Sequence, residues 1–514
     1  MLLATDNWLL TPGVTTTTTS QSERPSLIRG IGLLPATTLN VIEMIGVGPF
    51  ITIPLIVHAA GGPQAMLGWI FGAVLAICDG MVWSELGASL PRAGGSYEYL
   101  KEIYGPKRLG RMASFLYVWQ LTFSSPLSIA SGCVGLAQYA AFLWPALNTT
   151  IATHSFNWQL PFFGSITPEL KITGATLLAV IACALAVALN YRRIDMVGRL
   201  ANFLWGGVVL TLSWVIFAGL THFNRALAFD FPPNAFTLDA PFFTGLGAAM
   251  LVATYDYWGY YNSAFLGGEV QNPGRNLPRS ILFAILFVAI IYIVMNIGIL
   301  GVLPWRELDQ AAQTNTSTYV ISIMMQRLYG SWAGQFAAVL IMWTAFASVF
   351  SVMLGAARVP YAAALDGNYF RAFAHLHPTS RFPDISLLVI GTIAALFCFL
   401  QLRDLIAALV VIRLLIQFVS QTVGLMIFRK LRPDVERPFR MPLFPIPALL
   451  SLSGFVYILF ARPNHMRELR LAVALLIIGI IIYLLRALRR GEWPVHKVQL
   501  FTNNKTEQLN FKTL

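Results

Sequence analysis

Charge is scarce in this 514-residue chain. Asp, Glu, Lys and Arg make up 11% of it and 56% is hydrophobic, whereas soluble proteins are about a quarter charged. A water-soluble fold of this size is thereby excluded. Cysteine is nearly absent. The 4 in the chain, Cys78, Cys133, Cys183 and Cys398, all fall in long apolar stretches, so no structural disulfide is expected. Histidines number 7. His375 and His377 lie in a polar connection, and no His-rich metal spacing falls within an apolar stretch, so no metal and no other cofactor is expected. There is no Gly-x-Ser-x-Gly and no Lys-bearing phosphate loop, which argues against an enzyme. No cleavable signal peptide is evident. Residues 1–29 are polar, with a run of threonines at 15–19, and read as a disordered tail.

What the chain does have is long apolar runs. Twelve are long enough to span a bilayer, at about 20 residues each, over roughly 32–60, 64–90, 110–144, 172–190, 196–220, 241–268, 279–303, 333–365, 384–402, 404–428, 443–461 and 468–487. The net charge of +12 could suggest a nucleic-acid partner, but its placement excludes one. The basic residues concentrate in alternate connections: Lys101, Lys107, Arg108 and Arg111; Arg192 and Arg193; Arg275 and Arg279; Arg429, Lys430 and Arg432; Arg489 and Arg490. That is the asymmetry of a multi-pass membrane protein surrounded by lipid, with those connections and both termini in the cytoplasm, in the cell membrane. Asn148-Thr-Thr and Asn315-Thr-Ser fit the glycosylation pattern in connections expected outside.

Two of the runs are interrupted in matching places. The first reads Asn40-Val-Ile-Glu-Met-Ile-Gly-Val-Gly-Pro-Phe50, the second Thr254-Tyr-Asp-Tyr-Trp-Gly-Tyr-Tyr-Asn262. A helix in lipid satisfies its own backbone, so a mid-depth break survives only where protein or a ligand takes over the freed groups. A matched pair of such breaks points to a secondary transporter with its substrate between them. The expected organisation is a cytoplasmic tail (1–29), a first repeat of helices 1–5 (30–222) and an inverted second repeat of helices 6–10 (240–430). Helices 11–12 (441–490) and a second cytoplasmic tail (491–514) follow. At the first break, N–H groups around Gly46, Val47 and Gly48, with a helix N-terminus after Pro49, suit a carboxylate; the alternative is that the glycines only permit close packing. Asp256 can serve as an extra counter-charge for a substrate amine or bond to nearby Tyr hydroxyls or backbone; Glu43, Asp79 and Asp256 can also carry a proton through a transport cycle or bond to helix partners. Arg413 either pairs with one of these acids or snorkels.

Several local patterns carry a family resemblance. Glu85-Leu-Gly-Ala-Ser-Leu-Pro91, Gly94-Gly-Ser-Tyr-Glu-Tyr99, Gly268-Glu-Val-Gln-Asn-Pro273, Arg358 with Asp366-Gly367, and Arg437-Pro-Phe-Arg-Met-Pro442 follow one another as in amino acid–polyamine–organocation (APC) superfamily permeases. Asn190-Tyr-Arg-Arg-Ile-Asp-Met-Val-Gly198 and Gly48-Pro-Phe50 are similar to the polyamine branch; Trp119 with Ser124-Ser-Pro126 is similar to the L-type amino acid transporters. The resemblance implies an all-α, leucine-transporter-type five-plus-five inverted repeat of twelve transmembrane helices, with helices 1 and 6 unwound at mid-membrane.

The resemblance also implies a substrate site. Ile45, Gly46, Val47, Gly48 and Pro49 would hold the α-carboxylate. Tyr255, Asp256, Tyr257, Trp258 and Gly259 would hold the ammonium through freed carbonyls. Ser124 and Ser125 from helix 3, and Phe346 and Phe350 from helix 8, would complete the lining. Two departures matter. Val208 stands where many relatives carry a helix 5 Lys that replaces sodium, so any proton coupling falls to Glu43, Asp79 or Asp256. Residues 145–171 contain no Cys, so no disulfide-linked heavy subunit is expected. The leading expectation is a secondary active amino acid transporter, proton-coupled or exchanging. Polyamine or cationic amino acid symport is the alternative and a channel the remote one.

Overall fold

The computed structural model describes residues 27–156, 158–160, 164–166, 169–314, 319–401, 410–461 and 465–494. Most of both expected tails, the Asn315 triplet and the start of the tenth apolar run lie outside the described residues.

Helix follows helix along nearly the whole length. The first run is split into α1 (Leu33–Met44) and α2 (Gly48–Ala60), bent by 45°. α2 restarts with Pro49 in its first turn, where a missing N–H costs nothing, and stops at Gly61, whose φ of +74° suits glycine. Then come α3 (Met66–Ser89), the short amphipathic α4 (Ser96–Ile103) and α5 (Leu109–Leu143). α6 (Gly174–Asn190) opens on a reciprocal Thr173–Thr176 capping box, followed by α7 (Ile194–Thr221) and α8 (Arg225–Ala228). α9 (Ala240–Tyr257) is capped by the Asp239 carboxylate and gives way after four residues to the one-turn α10 (Asn262–Phe265). The rest comprises α11 (Pro273–Leu300), α12 (Trp305–Gln313), α13 (Val320–Tyr329), α14 (Ser331–Ala356), α15 (Arg358–Leu365), α16 (Asp384–Phe397), α17 (Val410–Leu431), α18 (Ile446–Phe460) and α19 (His465–Arg490).

Among the described residues, seven helices are long and apolar enough to cross a membrane, eight if α1 and α2 form one bent span. Three more of the expected runs are shorter apolar helices, α6, α16 and α18. One part of the chain departs from an all-helical reading. Between α5 and α6, β1 (Thr150–Ser155) pairs antiparallel with β4 (Glu169–Thr173), which also pairs with β5 (Leu400–Gln401); β2 (Trp158–Leu160) pairs with β3 (Gly164–Ile166). Thr150, Ile151, Thr153, Ile166, Ile172 and Thr173 are β-branched residues that favour strands, and the excursion is too short to register as an apolar run.

α3, α5 and α14 form the centre and α19 the periphery: 67% of the most apolar stretch of α14 is buried inside the protein, against 22% for α19. Phe203, Phe217 and Ile290 are each more than 60% exposed. An apolar surface of that extent belongs in lipid, so the protein is a multi-pass membrane protein. α7 and α11 approach closely where Gly219 faces Gly298; a Cβ on Gly219 would lie 3.0 Å from Gly298 Cα.

Ion pairs cluster at the α4 end of the bundle. Arg358 donates twice to Glu269, at 2.8 and 2.9 Å, with both side chains buried. Arg429 holds Glu85, and Lys101 bridges Glu98 and Asp366 at 2.8 and 2.6 Å. Burial pushes the Glu98 carboxyl above its ordinary range, against the pull of Lys101. Glu85 and Glu269 are therefore structural anchors, held by arginines on helices.

Candidate functional site

The two breaks meet. Between α1 and α2, the N–H groups of Gly46, Val47 and Gly48 have no hydrogen-bond partner among the described residues. At the second break, the carbonyls of Tyr257 and Trp258 accept no bond among the described residues either. Some of the other groups at the interruptions are satisfied by side chains. Ser351 donates to Leu39 O (2.7 Å), Ser348 to Glu43 O (3.2 Å), and Tyr292 to both Met44 O (2.7 Å) and Asp256 O (3.2 Å). Asn40 of α1 accepts from the Ser263 N–H of α10 at 2.8 Å and donates to its hydroxyl at 3.0 Å. Groups of both kinds stay unpaired at each break among the described residues: the carbonyls of Ile45 and Gly46 beside the first set of donors, and the N–H groups of Gly259, Tyr260 and Tyr261 beside the second set of acceptors.

A cavity of about 120 Å³ lies between the two breaks. Its lining includes Glu43, Gly46, Val47, Gly48 and Pro49 from the first break and Tyr255, Asp256, Trp258 and Tyr261 from the second. α5 supplies Ser128, Ser131 and Gly132, α14 supplies Ser348 and Val352, and α17 supplies Arg413. Ligand pockets more often measure about 300–1,000 Å³, so this space fits only a small solute. A recess lined by Ser124, Leu127, Ser128, Ser131, Tyr255, Trp258, Val410 and Arg413 adjoins it.

The expected site residues divide accordingly. Gly46, Val47, Gly48, Pro49, Tyr255, Asp256 and Trp258 line the cavity, and Ser124 lines the recess. Ile45 and Ser125 are buried beside them but line neither space. Tyr257 turns away, donating to Trp69 O at 3.3 Å, and Gly259 packs against Glu43. Phe346 and Phe350 also line neither space. α14 presents Ser348 and Val352 instead, two residues further along and so on another face of the helix.

The carboxylates differ in their company. Asp256 accepts from Thr52 at 2.5 Å and lies over Gly48, so close that a Cβ there would collide with it. Glu43 lines the cavity, and its Oε2 has no partner. Asp79 stands outside the cavity, where it accepts from Tyr260 at 2.6 Å while its other oxygen is unpartnered. Arg413 neither snorkels nor pairs with an acid. It is 9% exposed and forms no ion pair among the described residues, and its guanidinium lies over the rings of Trp258 and Tyr261, at 5.5 and 5.7 Å.

Sequence reasoning passed over Ser128, Ser131, Ser348 and Val352. A signal was present: Ser124, Ser128 and Ser131 stand at i, i+4 and i+7, one polar stripe on an apolar helix.

A sequence model described as amino acid permease matches residues 31–483. The serine/threonine exchanger SteT of Bacillus subtilis is 26% identical over 85% of this chain and 92% of its own. The branched-chain amino acid permease BcaP of the same organism is 26% identical over 90% and 94%. The human large neutral amino acids transporter small subunit 2 is 25% identical over 93% and 83%.

Proposed function

We propose how substrate is gripped and moved by a chain that belongs to the amino acid permease family and is a secondary amino acid transporter. The substrate α-carboxylate lies against the N–H groups of Gly46, Val47 and Gly48, at the positive end of α2. Its ammonium lies against the carbonyls of Tyr257 and Trp258, with Glu43 as counter-charge. One observation carries this reading: the unpartnered N–H groups of Gly46, Val47 and Gly48 and the unpartnered carbonyl of Trp258 belong to residues that line a single small cavity. Water can hydrate either set, but only a zwitterion offers a charge to both.

The architecture we propose is a leucine-transporter-type fold with twelve crossings. They are the eight long spans, the three shorter apolar helices and α9–α10. Helices 1–5 (30–222) and 6–10 (240–430) form inverted repeats, helices 11–12 (441–490) lie outside them, and both termini are cytoplasmic in the cell membrane. Alternating access rocks α1–α2 and α9–α10 about the site. The ion pairs of Lys101, Glu98 and Asp366, with Arg358 and Glu269, then close the cytoplasmic side. Where transport is proton-coupled, Glu43, Asp79 and Asp256 are the carriers. Asp79 reports to the second break through Tyr260. Tyr257, Gly259, Ile45, Ser125, Phe346 and Phe350 support the site by packing. The partners are substrate and lipid, with no disulfide-linked subunit.

The test is counterflow into proteoliposomes preloaded with unlabelled amino acid. Labelled amino acids are expected to exchange and putrescine is not, because a polyamine has no carboxylate for residues 46–48. Exchange of putrescine alone would overturn the grip. Gly46→Leu is expected to abolish uptake while the protein still reaches the membrane, because the side chain would fill the cavity and press on Ser348.

A further inference from the structure

Arg413 is unusual among the buried cations of this protein. Its buried fellow Arg358 is neutralised by a bidentate carboxylate; Arg413 is not. Its Nε donates to Gln417 Oε1 at 3.2 Å, and no other hydrogen bond or ion pair holds it among the described residues. Both terminal nitrogens are therefore unspent, on a side chain that lines the cavity and the recess together. A buried charge left without a partner is expensive, and Arg in particular presents a planar fork that matches a carboxylate through two parallel bonds.

The surroundings hold that fork in place. The rings of Trp258 and Tyr261 flank the guanidinium. Trp258 is itself stacked on Phe418, at 4.9 Å and 24°. Directly after Arg413 the backbone of α17 widens into a π-helical stretch, Leu414–Val419, a distortion that recurs at functional sites. The recess measures about 20 Å³, room for little more than one water. It thus takes the head of a side chain, not a second ligand. Ser131, Ser128 and Ser124 line it, the Ser124 hydroxyl donating to Gln120.

We infer that the Arg413 fork and the serine-lined recess receive an acidic side chain, so that the substrates of this transporter are amino acids carrying a second carboxylate. The inference rests on the proposed grip and extends it by charge complementarity. The site has two anion receptors, the residue 46–48 amides and Arg413. It has one cation receptor, the freed carbonyls with Glu43. The remaining cavity carboxylate, Asp256, accepts the Thr52 hydroxyl through one oxygen and lies over Gly48 with the other. Two anion receptors and one cation receptor match the two carboxylates and one ammonium of an acidic amino acid. A neutral side chain would leave the guanidinium without a direct ion pair, its charge met only through space by Glu43.

The experiment is counterflow of labelled L-glutamate, L-aspartate, L-glutamine and L-leucine with the full chain in proteoliposomes, paired with thermal stabilisation of the purified protein by the same four compounds. Wild type is expected to exchange an acidic amino acid at least tenfold better than its amide. Arg413→Gln is expected to lower that acid-to-amide ratio at least tenfold and Arg413→Lys to lower it less, since lysine keeps the charge and loses the fork. If Arg413→Gln fails to fold, the wild-type ratio decides. Wild-type exchange of glutamine or leucine with none of glutamate or aspartate overturns the inference and leaves the zwitterion grip standing. An unchanged ratio in a folded Arg413→Gln overturns it too. Exchange of no amino acid by folded, reconstituted protein overturns both.

Discussion

The two helix breaks serve one cavity with different means. The first, at residues 45–47, is a bend: α1 stops, the axis turns 45°, and α2 restarts at once as a helix of 13 residues. The second is a true unwinding. Four residues, one of them Gly259 at φ +124°, separate α9 from a single turn of helix, and the long α11 begins only at Pro273. The chemistry is split in the same way. The bend leaves the amides of Gly46, Val47 and Gly48 unpaired among small residues; the unwinding leaves the carbonyls of Tyr257 and Trp258 unpaired among aromatic ones. Each break also packs against the other's acid: Asp256 covers Gly48, and Glu43 covers Gly259. Donor and acceptor ends are thus held in register by contacts that cross from one break to the other, so a change at either should be felt at both.

The largest effect is expected where the unwinding is tightest. A Cβ at Gly259 would lie 2.8 Å from both Glu43 Cγ and Met44 N, on a backbone that only glycine adopts easily. Strained φ costs roughly 1–3 kcal/mol and overpacking roughly 1–3 more. Gly259→Ala should therefore eliminate counterflow and lower the melting temperature clearly. At the bend, Gly46→Ala meets only the Ser348 side chain, with Oγ at 2.9 Å, and should cost less by the same two measurements. The reverse order would break the distinction between bend and unwinding.

The crossed contacts are tested next. Gly48→Ala drives a methyl into the Asp256 carboxylate, while Asp256→Ala strips Thr52 of its acceptor. Made together, the two changes relieve the collision. Their stability effects should fall short of additive by about 0.5–3 kcal/mol, the range for residues in contact. Strict additivity of the melting shifts would show that the breaks are not in register through this pair. Tyr292→Phe comes next. It removes one hydroxyl that serves Met44 O in the bend and Asp256 O in the unwinding. Leaving buried carbonyls unsatisfied should cost about 1–3 kcal/mol and weaken transport of all substrates alike, so a substrate-selective loss would place Tyr292 in the site instead.

The bend and the unwinding were legible in the sequence for a physical reason. Glycine, proline and polar residues inside an apolar run contradict a continuous helix in lipid, and Gly46-Val-Gly48-Pro49 and Asp256-Tyr-Trp-Gly259 each state that contradiction locally. The third dimension was less legible. Which face of α14 meets the cavity depends on how the helix is rotated in the bundle; Phe346 and Phe350 share a face that lines neither space, while Ser348 and Val352 share the one that does. Rotation is set by contacts along the whole helix, which no short motif encodes. The small sheet between α5 and α6 escaped because its strands are brief and neither apolar nor charged enough to stand out. Arg413 could be seen as a buried charge, but its lack of a partner is a property of the assembled cavity.

The smallest effect on stability is expected at Glu43, and it sharpens the comparison most. Asp256 and Glu43 occupy related positions, one over each glycine, yet Asp256 has a hydrogen bond to lose and the Glu43 side chain forms none among the described residues. Asp256→Asn should therefore lower the melting temperature by disturbing the Thr52 bond. Glu43→Gln, an isosteric change at an oxygen already unpartnered, should leave it nearly where it was. Transport should rank the other way. If Glu43 is the counter-charge for the substrate ammonium, Glu43→Gln weakens apparent affinity about tenfold, the equivalent of about 1.4 kcal/mol. The loss should appear for every amino acid that exchanges, whatever its side chain, because the ammonium is common to all. Counterflow across a concentration series reads this directly. An unchanged apparent KM with a lowered melting temperature would make Glu43 a structural member of the crossed contacts, and the cation end of the site would then rest on the Tyr257 and Trp258 carbonyls alone.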